Sequence, residues 1–321
     1  MKQKLYSLTI IFTIIVLIIS IFSKSSALSE IVNFSVNLFI KNIFPSLFPM
    51  FIIATILVEI DIPKVLGNIF RKPMNYLFKT KGEGAFIFFM SMITGFPSSA
   101  KYIDDLMEKD LLTRKDAEKI LMFTFFSNPL FIVNTVGNIF FKNSYFGFLL
   151  LICHVLGNIV VGLCFRSYNK SVLVNNNILF RSNLSYLNQR INNTNIFKVL
   201  LNSIKNSLDI LMNIFGIVTF VLIIINLIFK DPSSILSIMG IGLTEMTTGL
   251  KYLSLGDFDI NIKLILAMFF ISFGGFSVHF QIMSILNKRK VRYLPFLIAR
   301  VCHGLSSVII LMLIMKMDRL F

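Results

Sequence analysis

"AFIFFMSMITGFPSSAKYI", residues 85–103, decides how the chain is to be folded. It opens like a membrane helix and stops after roughly half a span, at Gly95 and Pro97. Ser98, Ser99 and Lys101 follow at once. A bilayer crossing takes about 20 apolar residues. A helix broken halfway leaves backbone amides and carbonyls that hydrocarbon does not tolerate. The break must therefore line a cavity or be packed in protein. The stretch predicts a re-entrant hairpin over 84–100, inside an all-α polytopic membrane protein.

The rest of the chain supports that class. Of 321 residues, 55% are hydrophobic and only 15% are charged, against about 25% charged in an ordinary soluble domain. Long apolar runs recur at 5–23, 44–60, 144–165, 208–229 and 294–315. The apolar core of the N-terminal stretch is longer than the roughly 7–15 residues of a secretory signal. Residues 1–30 are therefore read as an uncleaved transmembrane helix. The net charge of +15 belongs to loops that set orientation. No basic stretch interleaves with aromatics on a soluble module, so nucleic acid is not expected as a partner. Cys153, Cys164 and Cys302 lie within or at the ends of apolar runs, which excludes a disulfide framework.

The second half echoes the first. "IKN" (40–42) returns at 204–206, and "AKYI" (100–103) returns as "LKYL" (250–253). "MFTFFSNPLFIV" (122–133) returns loosely as "MFFISFGGFSVH" (268–279), and "ICHVLG" (152–157) as "VCHGLS" (301–306). Four matches in one order point to an internal duplication. With Lys2 and Lys4 on the cytoplasmic side, helix 5–23 runs outward and 44–60 returns. The segment 101–119 stays inside as a solvated, mixed-charge stretch. Helix 119–140, broken at Asn128-Pro129, runs outward, and 144–165 returns. Helix 208–229 runs outward again and a second re-entrant unit, 233–250, enters from outside. Helix 262–286, broken at Gly274-Gly275, brings "KRKVR" (288–292) inside, and 294–315 ends on the opposite side. This arrangement puts most of the 31 Lys and Arg inside. It also makes the two halves inverted copies, a transporter architecture. The expected organisation is a helix over 1–30, a first gate-like repeat over 31–165, a cytoplasmic linker loop over 166–203 and a second, inverted repeat over 204–321.

Breaks at membrane depth nominate the solute-contacting residues. At the first, Gly95, Pro97, Ser98 and Ser99 offer backbone and hydroxyls, and the serines can cap the next helix. Lys101 adds a cation near a helix N-terminus, which suits an anion. At the others stand Ser127 and Asn128, Glu245 and Thr247 of "GLTEMTTG", and Gly274, Gly275, Ser277 and His279 of "GGFSVH". Arg300 lies inside the last span. Ionisable groups at that depth are functional candidates by default. The ordinary alternatives are a Lys101 that snorkels, a Glu245 paired with Arg300 or Lys251, and Asp104 and Asp105 on a solvated helix face. His154 and His303 each follow a Cys in mid-span. Their spacing fits no metal motif, and Gly157 and Gly304 beside them point to close helix packing. No metal or other cofactor is expected. No nucleophile–base constellation stands at usable spacing, so enzyme activity is not expected either.

"IFPSLFPMFIIATILVEI" (43–60), "GFPSSAKYIDDLMEKDLLT" (95–113), "FFSNPLFIVNTVG" (125–137) and "FGGFSVHFQI" (273–282) resemble the YlbJ-type sporulation integral membrane proteins. These belong to a wider group with nucleoside-recognition or gate domains, related to concentrative nucleoside transporters. The resemblance covers about residues 30–315 of the chain. It implies a role in endospore formation, with dipicolinic acid moved from the mother cell toward the forespore, and a place in the outer forespore membrane. In the related nucleoside carriers an acidic side chain of a hairpin and an Asn at a helix break contact the solute. Glu245 and Asn128 hold comparable positions here. The leading expectation is a transporter of a small carboxylated solute. A nucleoside or nucleobase carrier and a non-transporting scaffold for spore assembly are the alternatives. Besides the solute and membrane lipid, the sequence leaves a homo-oligomer open as a partner.

Overall fold

The computed structural model describes residues 25–169, 180–229 and 232–318. The helix expected over 5–23 lies outside the described residues. Every regular element among them is a helix. In the first half, α1 (Ser25–Leu38) passes through a wide π-type turn (Phe39–Ile43) into α2 (Phe44–Glu59). Short α3 (Ile62–Ile69) and α4 (Arg71–Phe78) lead to a hairpin of α5 (Gly84–Thr94) and α6 (Ser98–Glu108). Then come α7 (Arg114–Phe123), an extended stretch, the π-type helix α8 (Phe131–Phe140) and α9 (Ser144–Cys164). The second half has α10 (Phe180–Asn193), α11 (Ile196–Ile228), the hairpin α12 (Ile235–Thr244) and α13 (Met246–Leu255), the pair α14 (Ile260–Phe273) and α15 (Gly275–Leu286), and α16 (Tyr293–Asp318). Five helical stretches are long and apolar enough to cross a membrane: 28–59, 144–164, 196–228, 260–289 and 293–317.

Local chemistry explains the boundaries. Thr113 and Asp116 form the reciprocal capping box expected at the start of α7. Asn143, Ser234 and Asp259 cap α9, α12 and α14 through side-chain oxygens. α5 stops at Gly95, whose φ of +79° is open to glycine and costly for other residues. α14 stops at Gly274, φ +86°, for the same reason. The hairpin over 84–100 and the breaks at Asn128, Glu245 and Gly274-Gly275 fall where the sequence puts them.

Three expectations change. The span read as 208–229 begins at Ile196, where Asn195 accepts the Lys198 amide. Its polar early turns bury Ser203 and Ser207 against the protein, so their composition does not mark a loop. Part of the expected loop 166–203 is therefore helix, in α10 and the start of α11. The span read as 44–60 is the end of one helix running from Leu28, because the exposed Lys41 and Asn42 ride on its surface. The segment 101–119 is not a solvated stretch. α6 runs to Glu108 and buries Lys101, Tyr102, Ile103 and Leu106.

The order of elements repeats: long helix, hairpin of half-helices, broken helix, long helix. The packing repeats with partners exchanged. α2 lies on α11 and α9 on α16; α6 packs on α15 as α13 does on α8; α7 packs on α16 as α14 does on α9. Two large apolar cores and two small ones result among the described residues, and Phe96, at the tip of the first hairpin, packs against both large ones.

Candidate functional site

The four helix breaks converge on one point. The first hairpin tip presses on the extended stretch: a methyl group added at Gly95 would stand 2.5 Å from the Asn128 backbone nitrogen. The second tip presses on the α14–α15 break, since a methyl at Gly275 would meet the Met246 nitrogen at 3.0 Å. The two broken helices meet each other, with Gly274 facing the Phe125 ring at 2.4 Å by the same measure. Phe125 also stacks on Phe96, centroids 4.7 Å apart. Freed backbone groups find side-chain partners, as buried backbone must. Asn128 Nδ2 donates to the Thr94 carbonyl at 3.3 Å, and its Oδ1 accepts the Leu130 amide at 2.8 Å. Asn158 Nδ2 donates to the Phe125 carbonyl at 2.8 Å.

Arg300 reaches into this junction from α16. It is fully buried. Its Nη2 donates to the Met122 carbonyl, near the C-terminal end of α7, and its Nη1 donates to His303 Nδ1 at 2.9 Å. The guanidinium carbon lies 4.6 Å from the Phe125 centroid and 5.4 Å from that of Phe296. Its Nε has no hydrogen-bond partner. No described carboxylate lies within ion-pair distance of it. A charge at membrane depth costs about 2.5–3.5 kcal/mol on insertion scales. Buried charges are ordinarily paired. Arg300 has hydrogen bonds and aromatic faces in place of a counter-ion.

Histidines complete the cluster. His154, on α9, accepts the Ser127 amide at Nε2, 2.9 Å away, and its Nδ1 lies 3.1 Å from Ser272 Oγ. One residue thus braces both broken helices. His303 Nε2 donates to the His154 carbonyl at 2.9 Å, joining α16 to α9. His279 bonds the Phe273 carbonyl through Nε2 at 2.8 Å and faces the Tyr293 hydroxyl through Nδ1 at 3.0 Å. The Ser127 and Ser307 hydroxyls are buried without partners.

Other nominated residues have different surroundings. Lys101 is buried, and its ammonium lies 2.5 Å from Asp105 Oδ2 and 3.0 Å from Thr55 Oγ1. Its charge is met inside the protein, and Asp105 is not on a solvated face. Asp104 pairs with Arg289 instead. Lys251, the repeat counterpart of Lys101, is exposed. Ser98 and Ser99 do not cap α6; Pro97 holds the cap position, so the hydroxyls fall inside the helix. Glu245 pairs with neither Arg300 nor Lys251. It caps α13, accepting the Thr247 and Thr248 amides at 3.0 and 2.7 Å. Ser277 accepts from Gln281 at 3.4 Å. Sequence reasoning missed Phe125, Asn158, Ser272 and Tyr293. Asn158 had a usable signal: it stands one turn after His154 on the same helix face.

At one end of the bundle, Glu118 ties the halves together. It accepts from Arg292 Nη2 at 2.6 Å, Arg114 Nε at 3.1 Å, Tyr168 Oη at 3.2 Å and Asn169 Nδ2 at 3.0 Å. Burial alone would raise its carboxyl, but the bonds from Arg292 and Arg114 outweigh that and hold it at about 2.

The chain is similar to the sporulation integral membrane protein YlbJ of Bacillus subtilis (strain 168). The two are 29% identical over 342 aligned positions, which span 98% of this chain and 84% of that protein. No family model and no solved structure matches it.

Proposed function

From the premise that the chain is a YlbJ-type integral membrane protein, we propose that it carries a small carboxylated solute across the membrane. The solute binds where the four helix breaks meet. The observation that carries this reading is Arg300: a fully buried guanidinium, without a described carboxylate partner, at the one point where all the half-helices end. Broken helices at a repeat interface are where transporters hold their solutes. A carboxylate is the group that a guanidinium fork binds best. Lys101, spent on Asp105, gives the anion role to Arg300. The exchanged packing of the two halves supports an inverted repeat, and the concentration of Lys and Arg in 61–83 and 288–292 supports a cytoplasmic N-terminus with the C-terminus on the other side. The relative's part in sporulation supports dipicolinate as the solute, moving from mother cell toward forespore across the outer forespore membrane.

The test is entry of radiolabelled dipicolinate into proteoliposomes holding the purified full chain. Wild-type protein is expected to admit it, Arg300→Gln to lose at least tenfold of the rate, and Arg300→Lys to keep part. Equal entry through a folded Arg300→Gln protein would remove Arg300 from the site. Inhibition by uridine would reassign the site to nucleosides.

A further inference from the structure

The three histidines around Arg300 are not free to carry charge equally, and their partners say which one is. His154 Nε2 receives a backbone N–H, from Ser127 at 2.9 Å, which can only donate. That nitrogen holds no proton, and the ring is neutral with Nδ1–H toward Ser272 Oγ. His303 Nδ1 receives Nη1–H of Arg300 at 2.9 Å, and a guanidinium has no acceptor. Its proton is on Nε2, donated to the His154 carbonyl. A second proton on either ring would set two donors face to face. His279 differs. Its Nε2–H donates to the Phe273 carbonyl at 2.8 Å, but its Nδ1 faces a hydroxyl, that of Tyr293 at 3.0 Å. A hydroxyl donates or accepts as needed. His279 can take a proton if the Tyr293 hydroxyl turns.

His279 and Arg300 also flank the same two rings. His279 lies 6.2 Å from Phe125 and 5.0 Å from Phe296, and the Arg300 guanidinium lies 4.6 and 5.4 Å from them. The other charged groups packed near by are engaged. Lys119, on α7, donates to the Lys79 and Arg166 carbonyls at 2.8 and 2.6 Å. Lys101 is held by Asp105, and Glu245 by the start of α13. On the spans themselves, Cys153 and Cys302 are in no disulfide. Among the described residues at this junction, the charge left without a carboxylate partner is thus that of Arg300.

Resting on the carboxylate-carrier reading, we propose that this site binds a monocarboxylate at Arg300 alone and a dicarboxylate only with one added proton, held on His279 Nδ1. The proton comes from hydronium or the buffer acid, whose bond to it breaks, leaving water or the buffer base; an Nδ1–H bond forms, and the Tyr293 hydroxyl changes from donor to acceptor. His279 then supplies the positive charge that the second carboxylate needs.

The experiment is titration calorimetry on the purified full chain in detergent, from pH 6 to 8, in buffers of differing ionisation enthalpy. The probes are pyridine-2-carboxylate and pyridine-2,6-dicarboxylate. The dicarboxylate is expected to bind with uptake of one proton, its affinity falling about tenfold per pH unit where His279 is neutral beforehand. The monocarboxylate is expected to bind with none. In His279→Gln, checked for folding by its unfolding midpoint, dicarboxylate uptake of a proton should vanish. Its affinity relative to the monocarboxylate should fall at least tenfold. No proton uptake by the wild type overturns the proposal without any variant. Uptake that persists in His279→Gln overturns it too, since the proton then rides on the solute. Failure of wild type to bind either acid overturns the carboxylate-carrier reading itself.

Discussion

Lys101 and Asp105, one turn apart on α6, close an ion pair at 2.5 Å inside the protein, with Thr55 of α2 as a further partner of the ammonium at 3.0 Å. The pair fastens the first hairpin to the long helix beside it. Removing one partner strands the other charge in a low-dielectric setting. Lys101→Met and Asp105→Leu are each expected to cost about 3–5 kcal/mol, and the double replacement Lys101→Met/Asp105→Leu much less than their sum. Thermal unfolding of the four proteins in detergent reads the coupling. Additive costs would mean that the pair is not the interaction the geometry describes.

Gly95 and Gly216 make a matched contrast. Gly95 has φ +79° and the Asn128 nitrogen 2.5 Å from where a methyl would go, whereas Gly216, inside α11, has nothing within 4 Å. Gly95→Ala meets the strain of a backbone region at φ +79°, ψ 177° that is essentially open to glycine alone, about 1–3 kcal/mol, plus a backbone clash. It should lower the unfolding midpoint by several degrees and loosen the junction of breaks. Gly216→Ala should hold or raise the midpoint, by up to about 1 kcal/mol of helix propensity. An unchanged midpoint in Gly95→Ala would mean that the first tip is not seated against Asn128.

Glu118 sets an acid limit. Its carboxyl sits at about 2 in the folded protein against an ordinary 4.5. A group lowered on folding stabilises fully above its unfolded value and loses that contribution as pH falls toward the folded one. The wild type should therefore lose stability between pH 4.5 and 2. Glu118→Gln should start lower by about 2–3 kcal/mol at neutral pH, the size of charge-assisted hydrogen bonds. It should lose less on acidification. Parallel midpoint-versus-pH curves for the two proteins would contradict the assignment.

The α10 helix is pinned by Asp61. Tyr186 Oη lies 2.6 Å from its Oδ2, Arg190 Nε 2.8 Å from the same oxygen, and Lys64 Nζ 3.2 Å from Oδ1. Asp61→Asn keeps the shape and removes the charge. Losing charge-assisted bonds of about 1.5 kcal/mol or more raises local opening roughly tenfold. Limited trypsin digestion should cut after Arg190 faster by that factor. An unaltered cleavage rate would show α10 to be held by other contacts.

How much of this was legible depended on what each feature rests on. The breaks were readable because Gly95, Pro97, Asn128, Glu245 and Gly274 act through their own backbone or their own caps, and local chemistry is written in sequence. The start of α11 was not, because Ser203 and Ser207 look like loop residues until a neighbouring helix buries them. The partner of Lys101 stood four residues away in plain sight. Choosing it over a solute needed the knowledge that α6 is buried on that side. Arg300 was nominated, but its standing as an unpaired charge depended on Phe125, Met122 and His303 arriving from three directions. Nothing local in the chain announces that meeting.

His303 bonds the carbonyl of His154, 149 residues away, and that spacing aligns the two halves. At the same spacing Leu151 stands opposite Arg300, and Asn158 opposite Ser307. One half therefore has a charge at this position and the other an aliphatic side chain. On the proposed carrier reading, two shapes related by exchange of the halves would differ in energy, because one would turn the guanidinium and the other leucine toward its side of the bilayer. Such a carrier would rest facing one side, and a gradient or a ligand would work against that preference.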